Sequence, residues 1–112
     1  MKNKIFNLVF GLLIPAVILA HPPSKVVVTY DKDAKKLHIV ADHGVKDAGV
    51  HYINKLIITV DGKVVNTLEY TSQTDLQKQD IVLDMPDLKA GQEIEVKATC
   101  NKMGAKSGKI KI

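Results

Sequence analysis

His51-Tyr52-Ile53-Asn54-Lys55-Leu56-Ile57-Ile58-Thr59-Val60 runs into Asp61-Gly62 and comes back as Lys63-Val64-Val65-Asn66-Thr67-Leu68-Glu69-Tyr70. The first run is rich in β-branched residues, whose stiff side chains suit a pleated surface. Asp-Gly between two such runs is a strong short-range hairpin signal, because both central positions of the tight turn need a positive φ. This stretch predicts two antiparallel strands. It also sets the period of two by which the rest of the chain is read.

Upstream, Lys25 to Tyr30 is β-branched and ends at the polar turn Asp31-Lys32-Asp33. Lys36 to Ala41 alternates, with Leu37, Ile39 and Ala41 on one side and His38 and Val40 on the other. Thr71 to Asp75 reads as a polar turn, and Asp80 to Asp84 is a strand stopped before Pro86. Glu93 to Ala98 sets Ile94, Val96 and Ala98 against charged neighbours, and Gly108 to Ile112 puts Ile110 and Ile112 on one face. No segment carries a helical stripe. About seven short strands at this spacing predict an all-β fold, an immunoglobulin-like antiparallel β-sandwich. It occupies residues 21–112 as one small domain with a modest core.

Residues 1–20 are read as a secretory signal peptide: Lys2 and Lys4, then an almost wholly apolar run from Ile5 that ends at the small residue Ala20. The run falls short of the roughly 20 residues a spanning helix needs, so no stable membrane insertion is expected after cleavage. The mature protein is expected to be periplasmic or secreted. All 16 basic residues are lysines, against 12 acidic ones. With Lys2 and Lys4 removed, the remaining excess is two scattered charges. Nucleic acid would call for a basic stripe interleaved with stacking aromatics, and residues 21–112 hold only Tyr30, Tyr52 and Tyr70. Nucleic acid is excluded as a partner; self-association into a homo-oligomer stays open.

Cys100 is the single cysteine, so it has no partner for an internal disulfide. It reads either as a buried small hydrophobe with Met103 filling the gap beside it, or as one donor of a transition-metal site with Met103 and nearby histidines. Of the four histidines, His38 sits in a strand on the polar side and falls outside any site. His43 and His51 bracket a loop that holds Gly44 and Gly49, where two imidazoles can bend onto one ion or simply cap strand ends. His21, followed by Pro22 and Pro23, is stiff and extended. Cleavage after Ala20 would leave it with a free α-amine beside its ring.

His51-Tyr52-Ile53, a hairpin closing on Asp61-Gly62, and a strand leading into Cys100-Asn101-x-x-Gly104 together resemble the desulfoferrodoxin/neelaredoxin family, the superoxide reductases. His21-Pro22-Pro23 is similar to that family's His-x-Pro, and the resemblance spans essentially all of residues 21–112. It implies an immunoglobulin-like sandwich with one mononuclear, non-haem iron at its rim, held by four histidines and a cysteine thiolate. One position stays open to superoxide, which is reduced to peroxide. Position by position, His21, His43 and His51 match three of the histidines and Cys100 matches the thiolate.

Met103 stands where the fourth histidine is expected. The family's Glu-Lys pair is missing before both His21 and His51, and its tryptophans are replaced by Lys55 and by Ala105-Lys106. Lys46 is the loop lysine placed to supply positive charge. A thiolate, imidazoles and a thioether also make a donor set that copper favours, and His₃Cys is acceptable to zinc. The expectation is therefore a metal site of His21, His43, His51, Cys100 and Met103 in a superoxide-reductase-like protein that meets superoxide or a redox partner protein. The alternative is a copper or iron carrier, or an electron-transfer module, that keeps the fold without the reaction.

Overall fold

The structure, a computed structural model, describes residues 21–112; the expected signal peptide lies outside the described residues. Seven strands follow in order: β1 (Lys25–Asp31), β2 (Lys36–Asp42), β3 (Ile53–Val60), β4 (Lys63–Glu69), β5 (Lys78–Asp84), β6 (Glu93–Cys100) and β7 (Ala105–Lys111). They form a three-stranded sheet in the order β1-β2-β5 and a four-stranded sheet in the order β4-β3-β6-β7, with every pairing antiparallel. The fold is an immunoglobulin-like β-sandwich. The fourth strand pairs with the third, so the larger sheet is the one that contains β3 and β6. Among the described residues no helix is long and apolar enough to cross a membrane.

Alternation puts one face of each central strand into the space between the sheets. Leu37, Ile39 and Ala41 of β2 face Ile53, Leu56 and Ile58 of β3 and Ile94, Val96 and Ala98 of β6, all with no exposed surface. Each of the larger side chains contributes roughly 1.5–3 kcal/mol through burial. Asp61 and Gly62 both take positive φ, 48° and 83°, as the tight β3–β4 turn requires.

Three strand ends differ from the sequence reading. β3 begins at Ile53, because the N–H groups of Val50 and His51 donate to the Asp47 carbonyl in a turn of their own. β5 begins at Lys78, where its ladder with β2 reaches Asp42. β7 begins at Ala105, paired with Thr99, which leaves only Asn101 to Gly104 as the loop after Cys100. That loop is closed by the Cys100 N–H donating to the Gly104 carbonyl at 2.9 Å.

The registers decide where the sequence-predicted ligands meet. Lys25 at the start of β1 pairs with Asp42 at the end of β2, and Ile53 at the start of β3 pairs with Cys100 at the end of β6. The segments that carry His21, His43, His51 and Cys100 consequently all emerge at one rim.

Candidate metal centre

The inward-facing rows of the core run directly into the chemistry. Along β2 the inward positions are Leu37, Ile39 and Ala41, and the next step of two is His43, which is wholly buried. Along β6 they are Ile94, Val96 and Ala98, and the next step is Cys100, 5% exposed. His51 stands two residues before the inward Ile53. His21 arrives over the rim on the extended Pro22-Pro23 segment, with Pro23 buried.

His21, His43 and His51 converge. One ring nitrogen from each lies within 4.8 Å of the other two. The ring centroids are 5.0 Å (His21–His43), 5.3 Å (His21–His51) and 4.7 Å (His43–His51) apart, with the planes crossed at 60–89°. Cys100 is not one of the three; it borders them at His51, its Sγ 3.1 Å from His51 Nε2. The backbone N–H of Lys102 donates to the same sulfur at 3.3 Å. Met103, in the short loop beyond, is half exposed. The structure thus gathers three imidazoles, sets the thiol against one of them, and leaves the thioether at the surface.

The positions of these groups are held by residues that the sequence reading passed over. Asn101 ties the cysteine loop to the strand start that follows His51. Its Oδ1 accepts from the Tyr52 N–H at 2.9 Å, its Nδ2 donates to the Val50 carbonyl at 3.0 Å, and its backbone N–H donates to the Tyr52 carbonyl. Gln73 is buried beneath His43, with its Oε1 2.8 Å from His43 Nδ1. Gly104 takes φ 77°, and a Cβ there would lie 2.8 Å from Pro22 Cβ, so the cysteine loop packs directly on the segment that carries His21. Asn101 and Gly104 were visible as a motif, but their contacts were not. Gln73 lay in what reads as a solvent-facing turn, and no pattern marked it.

The donors fit a small transition-metal ion. A metal–nitrogen bond of about 2.0–2.1 Å places two ligands on one ion at most about 4.2 Å apart, so ring shifts of under about 1 Å close the three imidazoles onto it. The His21 ring already lacks hydrogen-bonding partners of the right kind. His21 Nδ1 is 3.0 Å from the Pro22 carbonyl and its Nε2 is 3.1 Å from the Gly44 carbonyl. A neutral imidazole has one N–H, so one of these nitrogens faces an acceptor with a lone pair. The three histidines therefore form a site able to bind a metal ion.

Electrostatics favour the neutral, ligating form of His51. Burial, then the neighbouring His43 and His21 and the Lys102 charge, hold its pKa below the usual histidine value. An open cleft of about 690 Å³ reaches His21 and His51 from solvent, with Val45, Val50 and Leu76 on its walls and Lys46 at its lip. His38 stands apart on the outer face, its Nε2 2.6 Å from Asp80 Oδ1. Comparison of the chain with known protein families, with characterised proteins and with solved structures returns no match in any of the three.

Proposed function

We propose that this protein holds a single iron ion among His21, His43 and His51, with Cys100 as sulfur donor, and that it reduces superoxide in an exported compartment. The observation that supports this best is the convergence of three imidazoles within 4.8 Å at the rim where Cys100 also emerges. Ferrous iron bound there would supply the one electron that, with two protons, takes superoxide to hydrogen peroxide, and a redox partner protein would return that electron.

The chain's own residues account for the rest. Neutral imidazoles and a thiolate form a mixed nitrogen and sulfur set suited to iron. The Lys102 N–H orients the sulfur. Lys46, on its flexible stem at the cleft mouth, draws a small anion towards His21 and His51. Val45, Val50 and Leu76 give the approach an apolar wall.

Purified protein loaded with iron and oxidised is expected to show a visible sulfur-to-iron charge-transfer band that disappears in Cys100→Ala, and to consume superoxide. A colourless, iron-free protein would overturn the proposal. A second reading, a copper or iron carrier without turnover, is favoured by the half-exposed Met103 thioether three residues after Cys100, a soft donor that suits Cu(I). Metal retained without superoxide consumption selects it.

A further inference from the structure

Gln73 precedes β5 and is 6% exposed, the amide of a nominal turn residue turned into the sandwich. Its Nε2 donates to the His43 carbonyl at 2.7 Å and to the Asp75 carbonyl at 3.0 Å. Its Oε1 accepts from the Ile53 N–H at 3.1 Å. Carbonyl oxygens only accept and a backbone N–H only donates, so these three partners allow one orientation of the amide. Rotating it by half a turn would set an NH₂ group against an N–H and an oxygen against two oxygens.

The remaining contact of Oε1 is His43 Nδ1, at 2.8 Å. Opposite an oxygen already committed to accepting, Nδ1 must carry the hydrogen. A neutral ring has only one, so Nε2 is left as a bare lone pair. His43 is wholly buried, and the polar atom next to Nε2 is the His21 carbonyl oxygen at 3.2 Å, which has no hydrogen to give. Nε2 is thus a buried acceptor without a donor, on the ring that meets those of His21 and His51.

We infer that Gln73 is a positioning residue that locks His43 in its Nδ1–H tautomer and reserves Nε2 for the metal. The inference rests on the proposed metal site for its purpose, but its first test needs no metal. An outer partner that fixes a ligand's tautomer also fixes the direction of its lone pair, and loss of such partners typically weakens metal binding by about 10- to 100-fold. Gln73 does this from another part of the chain, and its bond to the Ile53 N–H ties the same amide to the first residue of β3.

The decisive measurement is a two-bond proton–nitrogen correlation spectrum of metal-free, ¹⁵N-labelled protein at mildly alkaline pH. His43 is expected to show a pyrrole-like Nδ1 and a pyridine-like Nε2; the opposite pattern overturns the inference. Zn²⁺ titration then compares two variants. Gln73→Leu removes the acceptor and is expected to randomise the tautomer and weaken Zn²⁺ binding by about 10- to 100-fold. Gln73→Glu keeps an acceptor opposite Nδ1 but loses the donor to the His43 and Asp75 carbonyls, so it is expected to retain the tautomer at a cost in stability. Equal affinity and an unchanged tautomer in Gln73→Leu would defeat the inference. Should that variant fail to fold, the wild-type spectrum still decides. Wild-type protein with the expected tautomer and no Zn²⁺ uptake would keep the tautomer assignment and defeat the metal site instead.

Discussion

His51 Nε2 lies 3.1 Å from Cys100 Sγ, a contact between the turn that precedes β3 and the last residue of β6. It follows from register. Ile53 pairs with Cys100 in the β3–β6 ladder, and the turn closed on the Asp47 carbonyl brings His51 back over that pair. The contact sets the thiol against one ring of the imidazole cluster, and the charge state of His51 bears on both stability and ligation.

Acid should therefore weaken the metal-free fold through His51. Burial, with His43, His21 and Lys102 nearby, lowers its pKa below 6.5, so the unfolded chain takes up a proton at a higher pH than the native one does. Stability rises with pH wherever the unfolded state binds more protons. The His51 contribution is complete above pH 6.5 and is lost as pH falls through the lower native value. Denaturant midpoints measured down this range should fall, and His51→Asn should flatten the slope. Identical slopes in the two proteins would refute the assignment. Metal affinity should fall over the same range, because the ligating form is neutral.

Asn101→Ala should separate the cysteine loop from His51. The substitution leaves the Tyr52 N–H without the partner it has at 2.9 Å, and an unsatisfied, partly buried donor costs about 1–3 kcal/mol. Chemical denaturation measures that loss. The loss of metal affinity should exceed that of a surface substitution of equal stability cost, because Val50 and Tyr52 flank His51. Asn101→Asp keeps the acceptor and should fall between wild type and Asn101→Ala.

Most of the fold was legible because burial and period coincide. The inward rows Leu37-Ile39-Ala41 and Ile94-Val96-Ala98 alternate cleanly, and the antiparallel hairpins then force strand ends to share a rim. Continuing those rows by two residues reaches His43 and Cys100, so part of the site was written in the same alternation as the core. The rest was not. Gln73 works through an amide orientation set by three partners, of which His43 and Ile53 are distant in sequence, and local polarity marks it as a solvent residue. The Gly104–Pro22 contact joins segments about eighty residues apart, and glycine in a loop signals a turn without saying what lies against it. The start of β7 at Ala105 was hidden because the Lys106-Ser107 pair on this strand is exposed and carries no apolar alternation.

Gly104→Ala should harm the site more than it harms the fold. A left-handed backbone costs an alanine about 1–2 kcal/mol, and here the new Cβ also meets Pro22 at 2.8 Å. Relief requires Pro22 to move, and His21 moves with it. Gly62→Ala is the control: its φ is 83°, but nothing lies within 4 Å of an added Cβ, and it sits at the opposite end of β3. Both variants should lose stability in urea, whereas only Gly104→Ala should lose metal affinity. Equal affinity in the two would show that His21 does not depend on this contact.

Met103 offers a gain-of-function test. Its side chain is half exposed, so replacement should change stability by no more than about 0.5 kcal/mol. The superoxide-reductase chemistry proposed above calls for an imidazole at this position, and imidazole suits iron better than a thioether does. Met103→His should tighten Fe(II) binding by about tenfold, equivalent to about 1.4 kcal/mol, and raise superoxide turnover if iron is the working metal. Met103→Leu should leave iron binding unchanged and weaken Cu(I) binding if the thioether serves a copper carrier. The two substitutions, measured by competition with a chelator for each metal, pull in different directions under the two readings. A histidine at 103 that tightens neither metal would place the loop outside the coordination sphere and leave His21, His43, His51 and Cys100 as the whole donor set.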